Sequence, residues 1–221
     1  MLGRWAGRGL PGGRVGDYHA GMTMAKHIPF MPFVPREGPE TSARGFYETM
    51  SARRSVRFFS DRAVSEETIR QCVAAAGTAP SGANKQPWRF VAVSDPAIKH
   101  QIRVAAEREE REFYERRATP EWLADLAPLG TDADKPFLEI APWVIVVFKL
   151  MKTDPDEQGQ QGKVYYVEES VGIATGMLIT AIHLPGLVTL THPPSPLGLL
   201  AAVLGSPAPE RPHLVSPGRF S

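Results

Sequence analysis

Interleaved helix and strand signals predict a layered α/β or α+β domain, and three stretches of the chain carry that prediction. Ser65 precedes two acids, and Ile69, Cys72, Val73 and Ala76 then repeat on one face of a predicted helix that Gly77 stops. Ala141–Leu150 contains Trp143-Val144-Ile145-Val146-Val147-Phe148, a run apolar on both faces and therefore a central strand. From Tyr165 to His183 a helix carries Gly172, Ala174, Thr175 and Gly176, small residues that let another backbone approach closely. With 221 residues the chain suits one sizeable core, or at most two small domains.

Taken in order, the first 20 residues are rich in Gly and Arg, with Arg4, Arg8 and Arg14 and no acid before Asp17. They lack the apolar block of a secretory signal. Residues 1–24 are expected to be a disordered extension, or an upstream reading with Met22 or Met24 as the true start. An organelle transit segment is the weaker alternative. His27–Pro39 holds four prolines with Phe30 and Phe33, which predicts an extended arm. Thr41–Arg54 has the spacing of an amphipathic helix, with Phe46 and Met50 on it.

Trp88–Val93 reads as a strand, and Asp95-Pro96 opens a long helix to about Arg117. The second half of that helix is almost all charged except for Phe113 and Tyr114, so it is either a solvated, ion-paired helix or a mobile cover over a pocket. Pro120–Leu129 predicts a short helix, Lys152–Lys163 a polar loop, and Leu187–Thr191 a strand. Pro196–Leu204 predicts a helix ended by Gly205, and the tail from Ser206 carries four prolines. No internal repeat is visible.

Several classes of function fall away on composition. A net charge of +1 argues against broad capture of nucleic acid and for a small-molecule partner. Cys72 is the only cysteine, which excludes an intrachain disulfide or a multi-cysteine metal site and fits a reducing cytoplasm. The longest apolar stretch, Val171–Leu190, is broken by His183 and Pro185-Gly186, so it reads as helix, turn and strand instead of a membrane span.

Two motifs carry chemistry. Arg53-Arg54-Ser55-Val56-Arg57 sets three guanidinium-bearing residues within five, a pattern suited to a multiply charged anion but, on the residues alone, more often a solvated basic turn after a helix. Ala79-Pro80-Ser81-Gly82-Ala83 precedes Gln86-Pro87-Trp88, a turn before a strand that offers backbone N–H groups and a hydroxyl to a flat ligand. Together they suggest a planar, phosphate-bearing cofactor such as flavin mononucleotide. Glu110 and Tyr114 lie i,i+4 on one helix face, and Lys135 arrives from a later segment. Each of those three, taken singly, is also an ordinary surface residue in a charged region.

With these residues together, the chain resembles the flavin-dependent nitroreductase superfamily and, within it, the iodotyrosine deiodinase branch, from about His27 to about Leu214. The resemblance implies an α+β fold: a mostly antiparallel central sheet flanked by helices, working as an intertwined homodimer with FMN in two interface clefts. It implies that Arg53, Arg54, Ser55 and Arg57 hold the FMN phosphate, ribityl chain and ring edge. Pro80, Ser81 and Gly82 would lie along the ring, and the Ala83 N–H would donate to a substrate phenolate. Glu110, Tyr114 and Lys135 would grip an amino-acid zwitterion as a lid, and Thr191, His192 and Pro193 would pass beneath the ring, with Thr191 and Ala83 nearest the chemistry. The implied activity is reductive removal of halogen from a halotyrosine with electrons from NAD(P)H. The alternatives are broad reduction of nitroaromatics or quinones by hydride transfer, or an inactive flavin-binding product. No metal, nucleic acid or membrane is implied.

Two departures from the family pattern stand out. The family places a hydroxyl residue at Pro193, where it donates to the flavin N5, and proline has neither side-chain nor backbone donor. That substitution is expected to weaken one-electron chemistry. The family also continues into a further strand and a basic contact to the phosphate, whereas Ser216-Pro217-Gly218-Arg219-Phe220-Ser221 is poor strand sequence, so residues 25–221 are expected to form one domain without that strand.

Overall fold

The computed structural model describes residues 2–5, 30–192 and 210–220. Two compact units divide the chain, one of Arg8–Ala52 and one of Met1–Gly7 with Arg53–Ser221. The smaller unit contains α1 (Pro39–Ser51), with a proline in its first turn and no buried residue.

The larger unit is built on a six-stranded sheet: β1 (Leu2–Trp5), β2 (Phe59–Ser60), β3 (Trp88–Val93), β4 (Val144–Leu150), β5 (Val188–His192) and β6 (Glu210–Phe220). Its order is β1-β3-β4-β6-β2, with β5 also paired to β6, and all of these pairings are antiparallel. Among the described residues, five α-helices accompany it: α2 (Glu66–Gly77), α3 (Pro96–Glu112), α4 (Pro120–Leu126), α5 (Phe137–Ile140) and α6 (Val167–His183).

Strand periodicity explains the layering. Phe90, Ala92, Ile145 and Val147 turn toward Ile69, Cys72 and Ala76 of α2 and Ala174, Leu178 and Ile182 of α6. The intervening Val91, Val93, Val144, Val146 and Phe148 turn the other way, toward Ile102 and Ala106 of α3 and Phe137 and Leu138 of α5. β4 is therefore buried on both faces, as its uninterrupted apolar run predicted; each such side chain contributes roughly 1.5–3 kcal/mol by leaving water. α2 forms as read, with the Ser65 hydroxyl accepting from Thr68 N–H at 3.2 Å.

α3 starts at Asp95, whose carboxylate accepts from Ala97 and Ile98 N–H. It is fastened to α5 by Lys99, whose buried ammonium donates to the Glu139 and Ala141 carbonyls at 2.8 Å each. The long helix expected to reach Arg117 instead changes pitch after Glu112. Phe113–Arg117 forms a π-helical turn, closed by Ala118 N–H on the Phe113 carbonyl at 2.8 Å.

The two ends of the chain differ from expectation. Leu2–Trp5, placed by sequence in a disordered extension, pairs with the open edge of β3. The proline-bearing tail, expected not to form a strand, provides β6. Its register shows why the prolines are tolerated: residues 210–213 have a partner only in β4 and residues 216–218 only in β5, so Pro212 and Pro217 each keep one side free of the ladder. Gly218 is there because Phe59 is close: a Cβ on it would sit 2.7 Å from Phe59 Cδ1 and 3.2 Å from Pro142 Cδ. Pro193, the predicted helix at Pro196–Leu204 and Gly205 lie outside the described residues. Among the described residues no helix is long and apolar enough to cross a membrane, and no group of side chains is arranged to hold a metal ion.

Candidate active site

The cationic segment runs along β5. Val56 N–H donates to the Thr189 carbonyl at 3.1 Å, and Ser55 pairs with Thr189 in a parallel bridge. Two residues further on, the same strand reaches Thr191 and His192. Thus two of the three segments selected from sequence as cofactor-binding meet. Arg53 and Arg57 are half-buried, Arg54 and Ser55 exposed, and Arg54 Nη1 donates to the Arg53 carbonyl at 2.8 Å.

The amino-acid trio also assembles. Lys135 is 3 % exposed, and its ammonium lies 3.1 Å from Glu110 Oε2 and 5.8 Å from the centre of the Tyr114 ring. The Asp132 carbonyl accepts from the same ammonium. The acid and phenol of the charged helix thus converge on a lysine from elsewhere, and Phe113 stacks edge-on against Trp122 at 4.8 Å. His192 Nε2 approaches Glu110 Oε1 at 3.5 Å and finds no hydrogen-bond partner among the described residues. Burial, and secondarily the Lys135 charge, push the His192 pKa down to about 4. Its imidazole is therefore neutral at pH 7, and the contact with Glu110 is not an ion pair there.

The third segment stands apart. Ser81 Oγ accepts from Gln86 N–H at 2.8 Å, and the turn holds Ala83, Asn84 and Gln86 at φ near +50°, an uncommon run for residues other than glycine. Gly82 abuts Tyr165 and Tyr166, which precede α6: a Cβ would lie 2.9 Å from both the Tyr165 carbonyl oxygen and Tyr166 Cδ2. Ala83 is exposed. Because the turn leads into β3, while the cationic segment flanks β5, at least three inter-strand steps separate them, about 14 Å. A cleft of about 190 Å³ opens beside the turn between Lys85, Trp88, Arg89 and Asp154, smaller than the roughly 300–1,000 Å³ of ligand pockets.

Sequence reasoning missed Glu107, Asp132, Tyr165 and Tyr166. Glu107 carried a usable signal, since it lies i,i+3 from Glu110 and i,i+7 from Tyr114 on one helix face.

An antiparallel sheet between helical layers, an arginine-rich strap on one strand and an acid–phenol–lysine cluster at its end define a domain suited to a phosphorylated planar ligand and a zwitterion. The chain belongs to the nitroreductase family, whose sequence profile matches residues 50–213. It is 56 % identical over 186 residues to iodotyrosine deiodinase of Haliscomenobacter hydrossis, covering 84 % of this chain and 82 % of that protein. Iodotyrosine deiodinase 1 of Homo sapiens is 42 % identical over 188 residues, with 84 % of this chain and 65 % of that protein covered, so the chain spans about two thirds of the human relative. Among solved structures, oxidized iodotyrosine deiodinase bound to FMN and 3-iodo-L-tyrosine superposes with a TM-score of 0.70 at 29 % identity, over 80 % of this chain and 90 % of that one. A nitroreductase family protein from Clostridium novyi NT, at 20 % identity and a TM-score of 0.59 over 80 % and 85 % of the two chains, shares the fold.

Proposed function

We propose that this protein is an FMN-dependent oxidoreductase that removes halogen reductively from a halogenated tyrosine, working as a homodimer. The observation that carries the reading is the convergence of Glu110, Tyr114 and Lys135 from two separate segments. Such a set offers a carboxylate to an ammonium, an ammonium to a carboxylate and a phenol between them. The FMN phosphate suits the guanidinium groups of Arg53, Arg54 and Arg57 together with the Ser55 hydroxyl, and Thr191 and His192 continue the same wall. The separation of the Pro80–Ala83 turn from that wall supports a site shared between two copies, each giving its turn to the other's strap. The exposed face of α6, with Gly172, Ile173 and Gly176, is compatible with close packing of a second copy.

When bound, FMN supplies two electrons; with one proton they replace the carbon–halogen bond by carbon–hydrogen and release halide. The chain's own residues do the rest. The Ala83 N–H holds the phenolate oxygen and so fixes the ring, and the lid trio fixes the other end and keeps water out. Neutral His192 offers a hydrogen bond without adding charge. Reduction of the flavin by NAD(P)H or a reductase completes the cycle.

Anaerobic mixing of dithionite-reduced protein with 3-iodotyrosine tests this: flavin reoxidation should keep pace with iodide release. Pro193, which lacks the family's N5 donor, favours a second reading, reduction of nitroaromatics or quinones by hydride transfer. Glu110→Gln and Lys135→Met separate the two, because halotyrosine binding should collapse while nitroaromatic reduction persists. Reduced protein that is reoxidised by nitroaromatics but not by iodotyrosine would sink the first reading.

A further inference from the structure

We propose that Glu107, a residue outside the amino-acid grip, is a positioning residue that clips the Lys135 segment to the lid helix; this rests on the reading of Glu110, Tyr114 and Lys135 as that grip. The Glu107 side chain is 10 % exposed, and its Oε1 accepts from the Lys135 backbone N–H at 2.9 Å and from Arg103 Nε at 2.6 Å. Its other oxygen faces Arg111 at 3.4 Å. Burial alone would raise this carboxyl, but the Arg103 hydrogen bond, the Lys135 N–H and the charges of Arg103 and Arg111 outweigh it and hold the pKa below the usual range.

The clip has its own foundation. Arg103 also binds Glu139 on α5 at 3.2 Å, and Leu138 N–H donates to the Lys135 carbonyl at 3.1 Å. Lys135 is therefore held on both sides of its peptide, by α3 through Glu107 and by the start of α5. The consequence is directional. With its main chain fixed at Glu107, the Lys135 side chain runs along the helix toward Glu110, one turn on, and Tyr114, two turns on. Losing the clip frees the backbone that aims the ammonium, while the arginine strap and the Pro80–Ala83 turn keep their contacts. Glu107 thus acts on recognition of the zwitterion and not on the ring or on the flavin.

The test measures affinity of the FMN-loaded protein for 3-iodotyrosine and for 2-iodophenol, which has the halogenated ring without the zwitterion. Glu107→Ala should weaken iodotyrosine binding about tenfold or more, the scale of one lost hydrogen bond to a charged group, and leave iodophenol binding and FMN content unchanged. Glu107→Gln keeps a carbonyl oxygen for the Lys135 N–H and should recover most of the loss. Unchanged iodotyrosine binding in Glu107→Ala, equal loss of both ligands, or no recovery in Glu107→Gln would overturn the assignment. Should Glu107→Ala fail to fold, amide exchange in the unmodified protein decides: Lys135 N–H should exchange much more slowly than Ala133 N–H, and equal rates would refute the clip. If Glu110→Gln and Lys135→Met leave iodotyrosine affinity intact, the grip reading fails and the clip with it. If those two lose affinity and Glu107→Ala does not, the clip alone is wrong.

Discussion

Adding one methyl group at Gly82 should disturb the protein out of proportion to its size. The new Cβ would stand 2.9 Å from the Tyr165 carbonyl oxygen, 2.9 Å from Tyr166 Cδ2 and 3.1 Å from Tyr165 Cβ. One of those atoms is backbone leading into α6 and cannot rotate away, so the turn must move. Overpacking of this kind costs about 1–3 kcal/mol, and at about 2–4 °C per kcal/mol for a chain of this length the melting temperature should fall by about 2–12 °C. The turn would carry Ala83 with it, so FMN content should drop as well. Gly77, the last residue of α2, is the internal control: a Cβ there meets nothing within 4 Å, and Gly77→Ala should be neutral or stabilise by about 0.4–1 kcal/mol. Scanning calorimetry and flavin absorbance on both variants decide the matter. An unchanged melting temperature and full FMN content in Gly82→Ala would refute the reasoning, and so would an equal loss in Gly77→Ala.

His192 titrates near 6.5 when unfolded and at about 4 when folded, so as pH falls through that window the unfolded chain takes up the proton first. Stability should therefore be complete above pH 6.5 and fall by about 3 kcal/mol toward pH 4; urea midpoints against pH should show that slope, and His192→Gln should flatten it. Ser65→Ala removes the acceptor for Thr68 N–H at 3.2 Å and should cost about 1 kcal/mol in a denaturant titration, without changing ligand binding. Gly218→Ala drives a methyl to within 2.7 Å of Phe59 and should cost about 1–3 kcal/mol. Pairing it with Phe59→Leu should cost less than the two single changes added together, and simple additivity would show that the contact is not the cause.

Much of the fold was legible because it depends on period and local chemistry. α2, β3, β4 and the body of α6 follow from apolar spacing, an N-cap serine and an uninterrupted β-branched run. α3 was legible up to Glu112, but the change to a π-helical turn was not, since it shifts Tyr114 by a fraction of a turn that no spacing rule resolves. β6 is not legible from proline and glycine propensity. Their tolerance depends on which side of the strand is paired at each residue, and that is a property of the sheet. Likewise the open edge of β3, which Leu2–Trp5 occupies, exists only once the sheet is formed.

For the site, residue types and spacing marked the arginine strap and the Pro80–Ala83 turn as candidates, because charge, hydroxyl and hydrogen-bonding capacity are written into each side chain, whereas the acid–phenol–lysine trio stood out only through the resemblance to a family. Tertiary structure decided which of them share a place. It put the strap against β5, buried Lys135 between Glu110 and the Asp132 carbonyl, neutralised His192 by taking it out of water, and set the glycine turn several strands away from the strap. Distances between segments far apart in the chain come from packing, and packing is a sum over the whole sheet that no local window contains.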